Sequence, residues 1–146
     1  SLVNLAGQLG VRVLWIGDRV SDSRGIDSSG HKLYRLWDVY PHADFVTYPS
    51  LYEGFGNALL ETFYFSKPVV VNRYSVFVDD IEPHGFKAVT MGGCLTDEVV
   101  NGAARLIDDK DLASRWAKDN YRICEEHYSY GTLRQSLGGF VDELSG

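Results

Sequence analysis

Apolar residues at positions 2, 5, 6 and 9 recur at helical spacing, and Gly10 follows as a common helix stop, so residues 1–10 read as a helix. Residues 11–18 (VRVLWIGD) form a short apolar run ending at a glycine, the pattern of a buried parallel strand. Residues 21–30 carry one apolar side chain among ten and several turn formers, and are expected to be a mobile surface loop. From 31 to 43, Leu33, Leu36, Trp37 and Tyr40 share one side of an amphipathic helix whose last turn Pro41 weakens.

A second strand follows at 44–48, then a loop at 49–56 holding Gly54 and Gly56, a helix at 57–66 and a third strand at 68–72. Strand, glycine-bearing loop, helix and strand make one βαβ unit of a parallel sheet. Residues 88–91 suit a last short strand. Thr96 is placed to cap a helix carrying Asp97 and Glu98 in its first turn, and two more helices are expected at 111–127 and 129–144. The alternation predicts one α/β domain over residues 1–146, a Rossmann-like doubly wound parallel sheet finished by helices.

Composition narrows the function. With 45% hydrophobic and 23% charged residues, the 146-residue chain can bury a substantial core. A formal charge of −6 argues against a nucleic-acid partner, which needs a basic surface. It leaves room for one anionic small molecule held at a helix start. No apolar run approaches the roughly 20 residues of a membrane span, and none reads as a signal peptide. Cys94 and Cys124 lie far apart with no CxxC or His-rich neighbour, so neither a zinc site nor a disulfide framework is expected, and a reducing cytoplasm is the simplest setting.

The chemistry concentrates in the loop after the second strand. Ligands of open parallel sheets sit outside the carboxyl ends of strands, where this loop lies. Gly54 and Gly56 let a ligand approach the backbone while unpaired N–H groups at the start of the next helix face it, which makes an anion site. Glu61 stands one turn into that helix, about 6 Å along its axis, and leans back toward its amino end, within reach of a ribose. Glu53 stands at the other end of the loop. A pyrophosphate flanked by two hydroxyl-bearing groups is a nucleotide sugar.

The whole string from Glu53 to Glu61 (EGFGNALLE), preceded by Pro49-Ser50 and followed by Lys67-Pro68-Val69-Val70-Val71, resembles the signature of family 4 of the retaining glycosyltransferases, with its two glutamates in this setting. The resemblance covers residues 36–72 well, and more loosely 17–18, Asn120 and 126–129. It implies the carboxyl-terminal half of a GT-B enzyme, with an acceptor domain and the phosphate-binding Arg and Lys expected before Ser1. It also implies roles: Glu53 catalytic, through the hydroxyls of the transferred hexose; Gly54, Phe55, Gly56, Asn57 and Leu60 around the sugar and phosphates; Glu61 on the ribose. The co-substrate is a nucleoside-diphosphate sugar, with no other cofactor and no metal. The acceptor is a sugar or small hydroxyl compound bound mainly by the other domain, so that residues 1–146 alone are expected to be inactive. Residues 36–42 and 71–75 resemble a subgroup that includes mannosylglucosylglycerate synthases. A binding module without catalysis is the alternative, and a phosphorelay receiver with Asp18 as phosphoacceptor a remoter one.

Other positions carry plainer expectations. His31, His42, His84 and His127 read as surface or packing histidines, Trp15, Trp37 and Trp116 as core residues, and Asp79-Asp80 as part of a solvated loop. Arg19 and Arg73 follow strand ends, open to phosphate contact or ordinary surface pairing. Asn72, Tyr74 and Ser75 follow the third strand close to the site and are secondary candidates for donor contact.

Overall fold

The computed structural model describes residues 2–135 and 137. The chain divides into two compact units, 1–42 and 43–146. In the first, α1 (Leu2–Gln8) is the expected opening helix, and Gly10 takes a positive φ just beyond it. The strand expected at 11–18 does not form. No described residue pairs with 11–16, a 3-10 turn occupies Gly17–Arg19, and Trp15 is 65% exposed. A buried strand requires a neighbour to complete its ladder, and an apolar run without one gains nothing from extending.

The expected loop at 21–30 contains half of a small hairpin, β1 (Gly25–Ile26) paired antiparallel with β2 (Lys32–Leu33). The turn is shaped by Asp27, whose Oδ1 accepts from the Ser29 and His31 amides at 2.8 and 2.9 Å, and by Gly30 at φ +83°. This hairpin also shortens the expected helix at 31–43 to α2 (Leu36–Val39), which runs into a 3-10 turn (Tyr40–His42) at Pro41. Asp38 in α2 accepts from Arg24 and from the Arg35 amide, bonds that pull its carboxyl down to about 2. Trp37 is 53% exposed, so neither it nor Trp15 is the core residue expected.

The second unit is the α/β body, and most of its elements match expectation. Its sheet runs β3 (Val46–Tyr48), β4 (Val69–Asn72), β5 (Val89–Met91), all parallel. Between β3 and β4 lies α3 (Asn57–Tyr64); after β5 come α4 (Asp97–Asp108), with Thr96 Oγ1 accepting from the Val99 amide, and α5 (Lys110–Tyr128). The expected last helix is present over 130–135, its start bonded by Ser129 Oγ to the Thr132 amide; beyond 137 it lies outside the described residues.

All four residues of β4 are buried, and their alternation divides the core. Val69 and Val71 pack with Leu59 and Phe63 of α3 and Ile123 and Cys124 of α5, while Val70 packs with Met91 and Val99 of α4 on the opposite face. Helices therefore cover both faces, the doubly wound arrangement of an α/β fold. Each buried Val contributes about 1.5–3 kcal/mol.

α5 is tied to the segment before β5 by Asn120, 1% exposed, which accepts from the Lys87 amide at 2.7 Å and donates to the Lys87 carbonyl at 2.8 Å. Replacing Asn120 by Ala strands both groups, at a cost of about 2–3 kcal/mol. Differential scanning calorimetry should show Tm falling by about 5–10 °C.

Candidate functional site

The carboxyl ends of β3, β4 and β5 are drawn together by one side chain. Asn72, buried as the last residue of β4, donates from Nδ2 to the Ser50 carbonyl at 3.1 Å and accepts at Oδ1 from the Gly93 amide at 2.6 Å. It thereby fixes the loop after β3 to the loop after β5. Both ends of the amide serve the scaffold, so its role is to hold the rim of the site. No sequence pattern announces that pairing, because Ser50 and Gly93 are identified only once the strand register is known.

On this rim the loop turns into α3 through Gly56, at φ +92° and without a side-chain cap. Among the described residues, the amides of Gly54, Phe55, Gly56 and Asn57 donate no hydrogen bond. They form the uncapped start of α3, exposed at Gly54, Phe55 and Asn57 and buried at Gly56, and the α3 dipole adds partial positive charge there. The two glycines differ. A Cβ on Gly54 would meet nothing within 4 Å, so its bareness leaves open space above the loop. A Cβ on Gly56 would lie 2.2 Å from the hydroxyl of Tyr74, so its bareness is demanded from below.

Glu53 and Glu61 are both half-buried, on either side of these amides in the chain, and Glu61 already interacts within the protein. Phe55 is 43% exposed and meets the Tyr128 ring edge-on at 6.0 Å. Asn57 is exposed. Leu60 packs against the main core and its carbonyl lies 3.7 Å from the Cys124 thiol, an arrangement that gives it a place in the scaffold.

Tyr74, just beyond β4, is 2% exposed and seated among the rings of Tyr48 at 6.1 Å and Phe77 at 6.0 Å. Its hydroxyl has no hydrogen-bond partner among the described residues. Burial, and next the negative charge of Glu53, push this phenol up to about 12, so it remains a proton donor at neutral pH. An unpartnered buried hydroxyl costs about 1–3 kcal/mol. Sequence reasoning placed Tyr74 near the site but had no means of finding this orphaned donor beneath the glycine turn.

Of the cations considered for phosphate contact, Arg73 is engaged by Glu82 at 2.8 Å and Arg19 lies 3.6 Å from Asp18. Asp79 and Asp80 are exposed, on a π-helical turn (Phe77–Ile81) and not in the loop expected. The His84 and His127 rings lie against one another with centres 4.0 Å apart and planes tilted by 31°, beside Tyr128. Cys94 is exposed and Cys124 buried, both as free thiols. Among the described residues no helix is long and apolar enough to cross a membrane, and no group of three His, Cys, Asp or Glu side chains is placed to hold a metal.

The chain is 32% identical over 149 aligned positions to a mannosylglucosylglycerate synthase of Thermotoga maritima, an alignment covering 93% of this chain and 33% of that protein. It is 44% identical over 72 residues to a protein of the same name from Petrotoga mobilis, covering 49% of this chain and 17% of the relative. The chain thus spans about a third of the length of the Thermotoga protein. No solved structure matches it. The family described as glycosyl transferases group 1 matches residues 29–123, a span that includes β3, the glycine loop, both glutamates, β4 and β5, and the chain belongs to that family.

Proposed function

We propose that this chain is the donor-binding part of a retaining hexosyltransferase that uses a nucleoside-diphosphate sugar. The observation that carries the reading is the row of unbonded amides at 54–57, on the carboxyl side of the sheet, with a half-buried glutamate on each flank. The diphosphate lies against those amides and the amino end of α3. Glu61 accepts from the ribose hydroxyls and Glu53 from those of the hexose, each as a charge-assisted bond. Negative charge builds on the leaving phosphate as the glycosidic bond breaks, and preorganised N–H groups aimed at that charge lower the barrier. The acceptor attacks from the face the phosphate vacates, and the phosphate takes its proton. Glu53 orients the hexose and forms no bond to its anomeric carbon.

The name shared by the two relatives, mannosylglucosylglycerate synthase, directs the choice of glucosylglycerate as first acceptor, and GDP-mannose and UDP-glucose are the first donors to try. Full-length protein incubated with radiolabelled UDP- and GDP-sugars should transfer label to acceptor or release free sugar from one of them. Absence of both with every donor, in protein that still binds nucleotide sugar, would favour a binding module without catalysis.

A further inference from the structure

We propose that Tyr74 is a positioning residue of the donor loop: with a nucleotide sugar bound, its buried hydroxyl donates to the Glu53 carboxylate from beneath Gly56 and steadies that carboxylate against the hexose. The inference rests on the role given to Glu53 above. Three observations converge on it. The hydroxyl is sealed from solvent and has no acceptor among the described residues, although a phenylalanine would fill the same space without burying a polar atom. The ring is buried in the main core beside Tyr48 and Phe77, which leaves the hydroxyl little freedom to find another partner. And it touches the underside of the loop at Gly56, three residues from Glu53, whose charge it already feels.

A neutral phenol donating to a carboxylate makes a strong bond that also fixes which way the acid points. Glu53 then keeps its remaining lone pairs for the hexose. Because the contact concerns the sugar end of the ligand, its loss should separate nucleotide sugars from bare nucleotides.

The test is calorimetric titration of full-length protein with GDP-mannose, UDP-glucose, GDP and UDP, using Tyr74→Phe, Glu53→Gln and the double variant. Tyr74→Phe is expected to keep or raise Tm, to leave GDP and UDP affinity within about twofold, and to weaken the sugar nucleotide about tenfold. In the Glu53→Gln background, where the acceptor is a neutral amide oxygen, the same change should have a smaller effect, so that the two losses fall short of additive. Unchanged sugar-nucleotide affinity in Tyr74→Phe, equal losses for sugar nucleotide and bare nucleotide, or full additivity with Glu53→Gln would each overturn the inference while leaving the donor site standing. Failure of the unsubstituted protein to bind any of the four ligands would overturn the donor site and the inference together.

Discussion

Glu53→Gln in the full-length protein should lower hexose transfer about 10²–10³-fold with little change in stability. The substitution preserves shape and removes the charge, so bonds from the hexose hydroxyls fall from charge-assisted to neutral strength. Two such bonds, tightened as the ring flattens in the transition state, amount to about 3–4 kcal/mol, which is that range of rate. The loss should fall on kcat more than on KM, because the interaction is stronger in the transition state. Glu53 is half-buried and sits in a loop, so calorimetric unfolding should be nearly unchanged. Single-turnover kinetics with the active donor makes the measurement; full activity in the variant would remove Glu53 from the chemistry.

Gly56→Ala should be the most damaging small substitution in the second unit, destabilising it by about 2–5 kcal/mol. Two penalties add. A side chain at φ +92° carries the left-handed cost of about 1–2 kcal/mol, and the new Cβ collides with the Tyr74 hydroxyl, an overpacking penalty of about 1–3 kcal/mol. The collision gives the prediction its internal control. Removing the hydroxyl in a Gly56→Ala/Tyr74→Phe double variant leaves Tyr74's ring carbon at 3.3 Å from that Cβ, a tight but tolerable approach, and should recover part of the loss. Gly54→Ala, where nothing lies within 4 Å, should leave Tm unchanged and weaken the nucleotide sugar instead, by filling the space above the loop. Thermal denaturation of the four proteins distinguishes a glycine required by the fold from one required by the ligand.

Much of the second unit was legible because it obeys local rules. The valine run of β4, the apolar face of α3, Thr96 at the start of α4 and Gly56 at the strand-to-helix turn each announce themselves within a few residues. The first unit was less so. VRVLWIGD has the composition of a buried strand, but burial depends on a neighbour, and no window of sequence reports whether one exists. The hairpin around Asp27 escaped because two-residue strands are too short to show alternation.

The site followed the same division. Glu53, the two glycines and Glu61 stand within nine consecutive residues, so spacing and resemblance suffice to pick them out. Asn72 and Tyr74 act across the sheet, on Ser50, Gly93 and Gly56, and their partners become visible only with the register β3-β4-β5 in place. Leu60, assigned to the ligand by resemblance, is half-buried and also packs against the main core from α3.

In the proposed function, the uncapped start of α3 holds a diphosphate whose nucleoside is fixed by Glu61. The most direct measurement is the affinity of GDP and UDP for full-length protein, by calorimetry, before and after Glu61→Ala. Loss of two charge-assisted bonds to the ribose predicts at least a tenfold rise in Kd for whichever nucleotide binds. An unaltered Kd would mean that Glu61 does not hold the ribose.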